Sequence, residues 1–294
     1  MIERLHLVDG TFELFRFHYS KRPSHSARNG QPIKATIGML EGLLSLLESE
    51  DEAVTHLAIA FDNPIRSFRN DLFAGYKTDA GVDPELLAQF DLAERATEAL
   101  GLATWGMRDF EADDGLATGA HKLGRFAKKV RILSPDKDLG QCVEGERIVL
   151  VDRIRKRTID EAAILERFGV PPRAIPDYLG LVGDAADGIP GVPGFGDKSA
   201  RAVLEAFGSI EAIPDDAAAW PPIRSKEKLG AALASQRREA LLYKRLATLR
   251  TDAPVSEELE ELRVRGPNEA LLDHFVDTAA APRIAERARA LGRR

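Results

Sequence analysis

Nine acidic residues fall in five short groups along the chain: Asp9; Asp62; Glu111, Asp113 and Asp114; Asp136 and Asp138; Asp184 and Asp187. Four of the five groups lie where a hydrophobic strand or helix pattern stops. Mg²⁺ takes oxygen ligands, keeps several of its waters and needs outer carboxylates to orient them, so an acid-rich cage of this size suits two such ions. Two divalent ions close together are what cleavage of a phosphodiester uses, and the pattern points to metal-dependent phosphodiester chemistry. Softer ligands are scarce. Cys142 is the single cysteine, which excludes an internal disulfide and a cysteine-rich zinc site, and the six histidines show no H-x-H or H-E-x-x-H spacing. A metal here is expected to be oxygen-bound.

The elements that would position these acids alternate between strand and helix through the first half. Leu5 to Val8 reads as a strand, Ala35 to Leu47 as a helix with apolar residues at helical spacing, and Thr55 to Phe61 as a strand ending at Asp62. Pro84 opens a helix running to Leu100, Leu102 to Trp105 is a third strand, Asp113 or Asp114 begins the next helix, and Val130 to Leu133 is a strand ending before Asp136. This is an α/β pattern with a mostly parallel central sheet and helices on both faces. Ligands in such sheets bind outside the carboxyl ends of the strands, where Asp9, Asp62 and Asp136 fall.

From about Pro171 the character shifts to helices and loops rich in Pro and Gly. Pro176 to Val182 reads as a helix, Ile189-Pro-Gly-Val-Pro-Gly-Phe-Gly196 as a tight loop, and Asp197 to Phe207 as a helix capped by Asp197, together a helix-hairpin-helix element. Lys228 to Thr248 and Asn268 to the C-terminus also read as helical. Two domains are expected: an α/β domain over 1–170, and a helical domain over 171–294 with the hairpin element near 176–207.

A net charge of −6 looks wrong for a nucleic-acid binder. The 41 Lys and Arg stand against 38 acidic residues once the nine are set aside, a balance of +3, so the acid excess is no larger than the proposed cage. No stretch approaches the ~18 apolar residues of a membrane span, and the N-terminus carries a charged strand pattern instead of a signal peptide, so a cytoplasmic location without a membrane partner is expected.

Each group taken singly also fits ordinary local structure. Asp9-Gly10 and Asp62-Asn-Pro are turn-like, and Glu111-Ala-Asp-Asp114 before an apolar helix could be a cap with acids favoured by the helix dipole. Their combination is what resists that reading, because five independent turns need not all end at one edge of a sheet. Asp184 and Asp187, three apart, point the same way if they lie in a helical turn.

Leu7-Val-Asp-Gly, Phe61-Asp, Phe68-Arg69, Tyr76-Lys77, Glu111-Ala-Asp-Asp, Asp136-Lys-Asp-Leu and the run from Gly183-Asp-x-x-Asp through Ile189-Pro-Gly-Val-Pro-Gly-x-Gly to Lys198 occur in order. Together they resemble the 5′ nuclease (flap endonuclease) superfamily, in particular the 5′→3′ exonuclease domain of bacterial DNA polymerase I. The resemblance runs almost end to end, and since no polymerase follows, a stand-alone member is expected. It implies that Asp9, Asp62, Glu111, Asp113 and Asp114 surround a first Mg²⁺ or Mn²⁺ ion, that Asp136 lies between two sites, and that Asp138, Asp184 and Asp187 hold a second ion. It implies Lys77 as a clamp on the scissile phosphate, Tyr76 as a stacking partner for the terminal base, and Arg16 and Arg69 as phosphate contacts. It implies a helical arch near 66–100 in the first domain and DNA binding by the second, where Gly191, Gly194, Gly196 and Lys198 would meet the duplex backbone and loop carbonyls would hold K⁺. The implied partner is duplex DNA with a 5′ end or 5′ flap, RNA-primed DNA included, and the implied state is a monomer.

Two positions depart from the family pattern. The chain reads Lys77-Thr-Asp-Ala80 where a second basic residue usually follows, and Pro135 replaces a common glycine before Asp136. Two other readings fit parts of the sequence: a structure-specific DNA-binding protein with weak or absent catalysis, and a Mg²⁺ phosphatase using Asp136-x-Asp138, which leaves the Gly-rich hairpin unexplained.

Overall fold

The strands are β1 (Ile2–Asp9), β2 (His56–Asp62), β3 (Ala103–Met107), β4 (Ala127–Leu133), β5 (Ile148–Asp152) and β6 (Arg157–Ile159). The first seven helices are α1 (Gly10–His18), α2 (Lys34–Leu47), α3 (Arg69–Leu72), α4 (Pro84–Leu87), α5 (Phe90–Ala99), α6 (Ala112–Lys122) and α7 (Glu161–Phe168). Then follow α8 (Ile175–Val182), α9 (Asp197–Phe207), α10 (Lys226–Ser235), α11 (Arg237–Ala247), α12 (Glu269–Ala279) and α13 (Pro282–Leu291). The computed structural model describes residues 1–292, which divide into two compact units. The first comprises Met1–Ser67, Asp79–Ser134 and the chain from Thr251 onward, and the second Phe68–Thr78 and Pro135–Arg250.

In the first unit, β1 to β4 are parallel in the order β3-β2-β1-β4. β2 is buried along nearly its whole length, the near-continuous apolar run expected of a parallel strand covered on both faces. Side chains alternate across a strand, and the register Leu7↔Ala58, Asp9↔Ala60 and Ala60↔Trp105 puts Leu7, Asp9, Asp62 and Trp105 on one face. Helix α6 covers that face, with Leu7 and Trp105 packed where Gly119 has no side chain. On the other face Phe61 packs at Gly10 of α1, and Thr104 meets Thr97 of α5 at 2.8 Å. Each fully buried Leu or Ile, such as Leu5, Leu7, Leu57 and Ile59, contributes about 2 kcal/mol relative to exposure. In the second unit, β5 and β6 form an antiparallel pair and the remainder is helical. The chain is therefore an α/β protein with mostly parallel strands, followed by a helical region.

Several boundaries differ from the sequence reading for identifiable reasons. The helix expected over Pro84 to Leu100 is two helices, α4 and α5, parted at Ala88 and Gln89. Gln89 is buried there, and its Oε1 accepts from Thr36 N at 3.1 Å and Thr36 Oγ1 at 3.2 Å. Ile33, at the N-cap of α2, supplies no side-chain cap, so the break in one helix caps another. The helix expected over Lys228 to Thr248 divides at Gln236 into α10 and α11, and the C-terminal helical segment divides at Ala280, whose φ is 51°. Helices α1 and α7 and strands β5 and β6 are additional to the sequence reading.

Glu52 bridges β1 and β4, with its Oε2 3.2 Å from His6 Nε2 and 2.8 Å from Arg131 Nε. The His6 hydrogen bond, opposed by burial and helped by the Arg131 charge, draws the Glu52 carboxyl down to about 2. A folded-state value below the unfolded one gives stability that is present above the ordinary Glu range and lost as pH falls toward the depressed value. The urea midpoint of the wild type should thus fall more steeply than that of Glu52→Gln between pH ~5 and ~2. Parallel midpoints across that window would contradict the role given to this bridge.

Candidate metal centre and nucleic-acid interface

The first unit holds five of the nine acids at strand ends and at the start of α6, where their oxygens take backbone donors. Asp9 is the N-cap of α1, its Oδ1 accepting from Phe12 N at 2.8 Å, while Oδ2 accepts from Ser134 Oγ at 2.9 Å. Asp62 Oδ1 accepts from Ala112 N at 2.5 Å, and its own N–H donates to Thr11 Oγ1 at 2.7 Å. Glu111 is the N-cap of α6 and accepts from Ser67 Oγ at 2.7 Å; Asp114 Oδ2 accepts from Glu111 N at 3.0 Å. Asp113 is half-buried in the first turn of α6. Glu111 and Asp114 lie where the helix dipole favours negative charge. Ser67 and Ser134, which hold two of these acids, were not singled out in the sequence reading, since an isolated serine carries no pattern.

The second unit holds Asp136, Asp138, Asp184 and Asp187. Among the described residues, Asp138, Asp184 and Asp187 each offer a carboxylate oxygen within 4.8 Å of the others. The local chain builds this approach. Asp136 is exposed and its Oδ1 accepts from Asp138 N at 2.9 Å, which turns Asp138 inward. Asp184 and Ile189 exchange backbone hydrogen bonds of 2.8 Å in each direction, closing a short loop that carries Asp187 back toward Asp184. Asp184 and Asp187 thus converge in a closed turn and not on a continuing helix.

Two lysines lie against the three carboxylates. Lys137 Nζ donates to Asp184 Oδ2 and stands 3.6 Å from Asp138 Oδ1; Lys77 Nζ is 3.0 Å from Asp187 Oδ1. Lys77 is placed by its backbone, which donates to Asp187 O at 3.0 Å, and by Gly188, where a Cβ would stand 2.1 Å from Gly75 O. Burial lowers the Lys137 pKa, but Asp138, Asp184 and Asp136 outweigh it and hold the ammonium above its ordinary value. Burial and then repulsion from Asp136 push the Asp138 carboxyl well above the usual range against the pull of Lys137, with Asp187 and Asp184 adding to the rise. Asp138 Oδ1 is buried and accepts no hydrogen bond among the described residues. An unsatisfied carboxylate oxygen beside two more carboxylates is a donor set that fits a hard divalent cation. Lys137 is the residue here that the sequence reading missed. The available signal was that clustered like charges require a counter-ion, and the residue between Asp136 and Asp138 is cationic.

The hairpin lies between α8 and α9. Gly191 has φ 72°, and a Cβ there would stand 2.5 Å from Gly183 N; Gly194 also has a positive φ of 88°. Gly196 is the N-cap of α9, its N–H donating to Ser199 Oγ at 3.0 Å, so α9 begins at Asp197 instead of being capped by it. Next to this loop is a groove of about 680 Å³ lined by Gly194, Gly196, Lys198, Arg224, Ser225 and Lys228, with the N-termini of α9 and α10 at its wall. Lys198, Arg224 and Lys228 have no ion-pair partner among the described residues.

Three expected DNA contacts are placed differently from the sequence reading. Arg69 is 1% exposed, and its guanidinium donates to Leu246 O at 2.8 Å and Thr248 O at 3.1 Å, so it satisfies the C-terminal carbonyls of α11 instead of facing solvent. Tyr76 is 4% exposed, which leaves little of its ring for a stacked base, and Lys77 Nζ lies 5.6 Å from the ring centroid. Arg16, on α1, is paired with Glu13 and lies 4.2 Å from the Phe17 ring centroid.

The fold is an α/β unit of parallel strands with a helical region, and its acidic cluster is an all-oxygen donor set that fits a hard divalent cation. The 5′-3′ exonuclease N-terminal resolvase-like domain matches residues 4–169, and the 5′-3′ exonuclease C-terminal SAM fold matches 170–270. The chain belongs to the 5′-3′ exonuclease family, whose members hydrolyse phosphodiester bonds. It is 34% identical to DNA polymerase I of Rhizobium leguminosarum over 94% of this chain but only 27% of that protein. It is 30% identical to the 5′-3′ exonuclease of Aquifex aeolicus over 91% of this chain and 89% of that one. The fold is similar to that of a phage T5 flap endonuclease solved with DNA and metal ions, with a TM-score of 0.66, 22% identity, and coverage of 98% of this chain and 100% of that one. No described helix is long and apolar enough to cross a membrane.

If Lys137 neutralises the three carboxylates, removing its charge should destabilise the metal-free protein and enlarge its response to a cation. Lys137→Met should melt lower than the wild type in EDTA, by on the order of 1–3 kcal/mol for a buried carboxylate left unpaired, and Mn²⁺ should raise its melting temperature more than the wild type's. Equal Mn²⁺ shifts in the two proteins would sink this account of Lys137.

Proposed function

We propose that the chain is a divalent-metal-dependent 5′→3′ exonuclease and 5′-flap endonuclease. The observation that carries this is the convergence of Asp138, Asp184 and Asp187 within 4.8 Å around a buried, unsatisfied oxygen, in a member of a nuclease family. An all-oxygen donor set favours Mg²⁺ or Mn²⁺ over softer metals. Asp138, Asp184 and Asp187 would hold one ion with Asp136 beside them. Asp9, Asp62, Glu111, Asp113 and Asp114, several of them held by backbone donors, would orient the water shell of another. When bound, such ions supply Lewis-acid charge to the scissile phosphate and an activated attacking water.

The chain's own residues would do the rest. Lys77, set by Gly188 and the Asp187 carbonyl, would clamp the scissile phosphate. The hairpin glycines Gly191, Gly194 and Gly196 allow close approach of a strand, and Lys198, Arg224 and Lys228 would neutralise phosphates along the groove, with free N–H groups of α9 and α10 adding donors. Recognition would rest on backbone and shape with little base readout. Arg16 and Tyr76 would act at the 5′ end only after leaving their present contacts. K⁺ bound by hairpin carbonyls, acceptance of RNA-primed ends, a monomeric state, a cytoplasmic location and the division near residue 170 into catalytic and duplex-binding domains belong to the same reading.

Purified protein with Mg²⁺ or Mn²⁺ should cleave a 5′-flap duplex, and Asp136→Ala with Asp138→Ala should abolish cleavage while leaving DNA binding. Undiminished cleavage in that double variant would overturn the assignment. At the groove, Lys228→Ala should weaken flap-DNA binding and reduce the slope of log affinity against log salt by about 1, independent of sequence.

A further inference from the structure

In the first unit, Asp62 ends β2 and the residue after it is tied down by three neighbours. Asn63 N donates to Met107 O at 3.1 Å, and its Nδ2 donates to Asp91 Oδ1 at 2.7 Å and to Glu94 Oε1 at 3.0 Å. The Asn63 carbonyl accepts from Arg108 Nη1, and Arg108 Nη2 donates to Glu94 Oε2 at 2.9 Å. Asn63, Arg108 and Glu94 therefore close a ring through both oxygens of one carboxylate. Helix α5 carries Glu94 to the edge of β3, and Gly106 leaves the space for it: a Cβ there would stand 2.8 Å from Glu94 Oε1. The Glu94 side chain is 12% exposed and that of Arg108 57%.

An ion pair whose arginine is this exposed adds little to the stability of a fold. What the ring fixes is the main chain one residue beyond Asp62. The Asp62 N–H is already set by Thr11 Oγ1 at 2.7 Å and its Oδ1 by Ala112 N at 2.5 Å, so clamping Asn63 removes the remaining freedom of the strand end and with it the play in the carboxylate. We propose that Glu94 is a positioning residue, which by joining Asn63 to Arg108 aims the Asp62 carboxylate at a divalent ion held by the acids of the first unit. The inference rests on the nuclease reading for the ion itself and extends it to a glutamate outside the nine acids. Partners that orient a metal-binding carboxylate from behind typically carry roughly 10- to 100-fold of metal affinity.

Equilibrium binding of Mn²⁺ without DNA, read from the spin-resonance signal of the free ion, tests this apart from catalysis. An Asp138→Ala background confines the measurement to the acids of the first unit. In that background Asp62→Ala should weaken Mn²⁺ binding, and Glu94→Ala should weaken it about tenfold. Glu94→Gln, which keeps an acceptor for Asn63 Nδ2, should recover part of the loss. Adding Glu94→Ala to Asp62→Ala should cost nothing further, because Glu94 acts through Asp62, whereas a merely structural glutamate would weaken both backgrounds alike. Should Glu94→Ala fold poorly, Arg108→Ala opens the same ring at an exposed position and should shift Mn²⁺ binding in the same direction. Binding that Asp62→Ala weakens but Glu94→Ala and Arg108→Ala leave unchanged overturns the positioning role and leaves the metal reading intact. Binding unchanged by Asp62→Ala overturns the placement of the ion and the role of Glu94 with it.

Discussion

Three carboxylates drawn within 4.8 Å of one another, two of them on buried residues, repel each other and lose hydration, so they persist together only if cations or donors face them. Lys137 and Lys77 supply part of that compensation. The loops that carry the acids are built to keep the approach in spite of its cost: the Asp184 and Ile189 backbone bridge, the Asp136 side chain bonded to Asp138 N, and the close passage of Gly188 by Gly75. Asp138 Oδ1 remains without a hydrogen bond among the described residues, which is where a hard cation would contribute most.

The five acids of the first unit solve the same problem by another route. They spend oxygens on helix and turn N–H groups, as Asp9 does on α1 and as Asp62 and Asp114 do at the start of α6. Capping of this kind stabilises each element by roughly 1 kcal/mol and fixes where the carboxylate stands. Residues that look like ordinary caps are thereby held at the carboxyl ends of β1 and β2, where sheets of this kind bind ligands. Structural and chemical roles coincide in the same side chains, so neither excludes the other.

How much of this is legible in the sequence varies with the range of the interaction that decides it. The parallel strands are legible because β1 and β2 are short apolar runs ending at acids and the apolar end of β4 stops just before Asp136, and the hairpin is legible from its Gly and Pro spacing. The break between α4 and α5 is not, because it depends on Gln89 reaching the first turn of α2, a contact across 53 positions. Helix α1 is hidden for a related reason: Asp9-Gly10 reads as a turn, and its service as an N-cap appears only once the strand ahead of it is placed. Arg69 shows the opposite failure. Its charge and its neighbours in the motif point to DNA, whereas the open carbonyls at the end of α11 draw it into the interior. Lys137 is overlooked because acids attract notice and their counter-ions do not.

The central claim is that the Asp138, Asp184 and Asp187 cluster is a divalent-cation site and that Lys137 occupies part of its charge field. Anomalous diffraction from crystals soaked in Mn²⁺ tests this most directly. The account predicts an anomalous peak ligated by Asp138 and at least one of Asp184 and Asp187, with the Lys137 ammonium moved away from Asp184. Strong Mn²⁺ peaks elsewhere, with Lys137 still bonded to Asp184 and no density at Asp138, would contradict it.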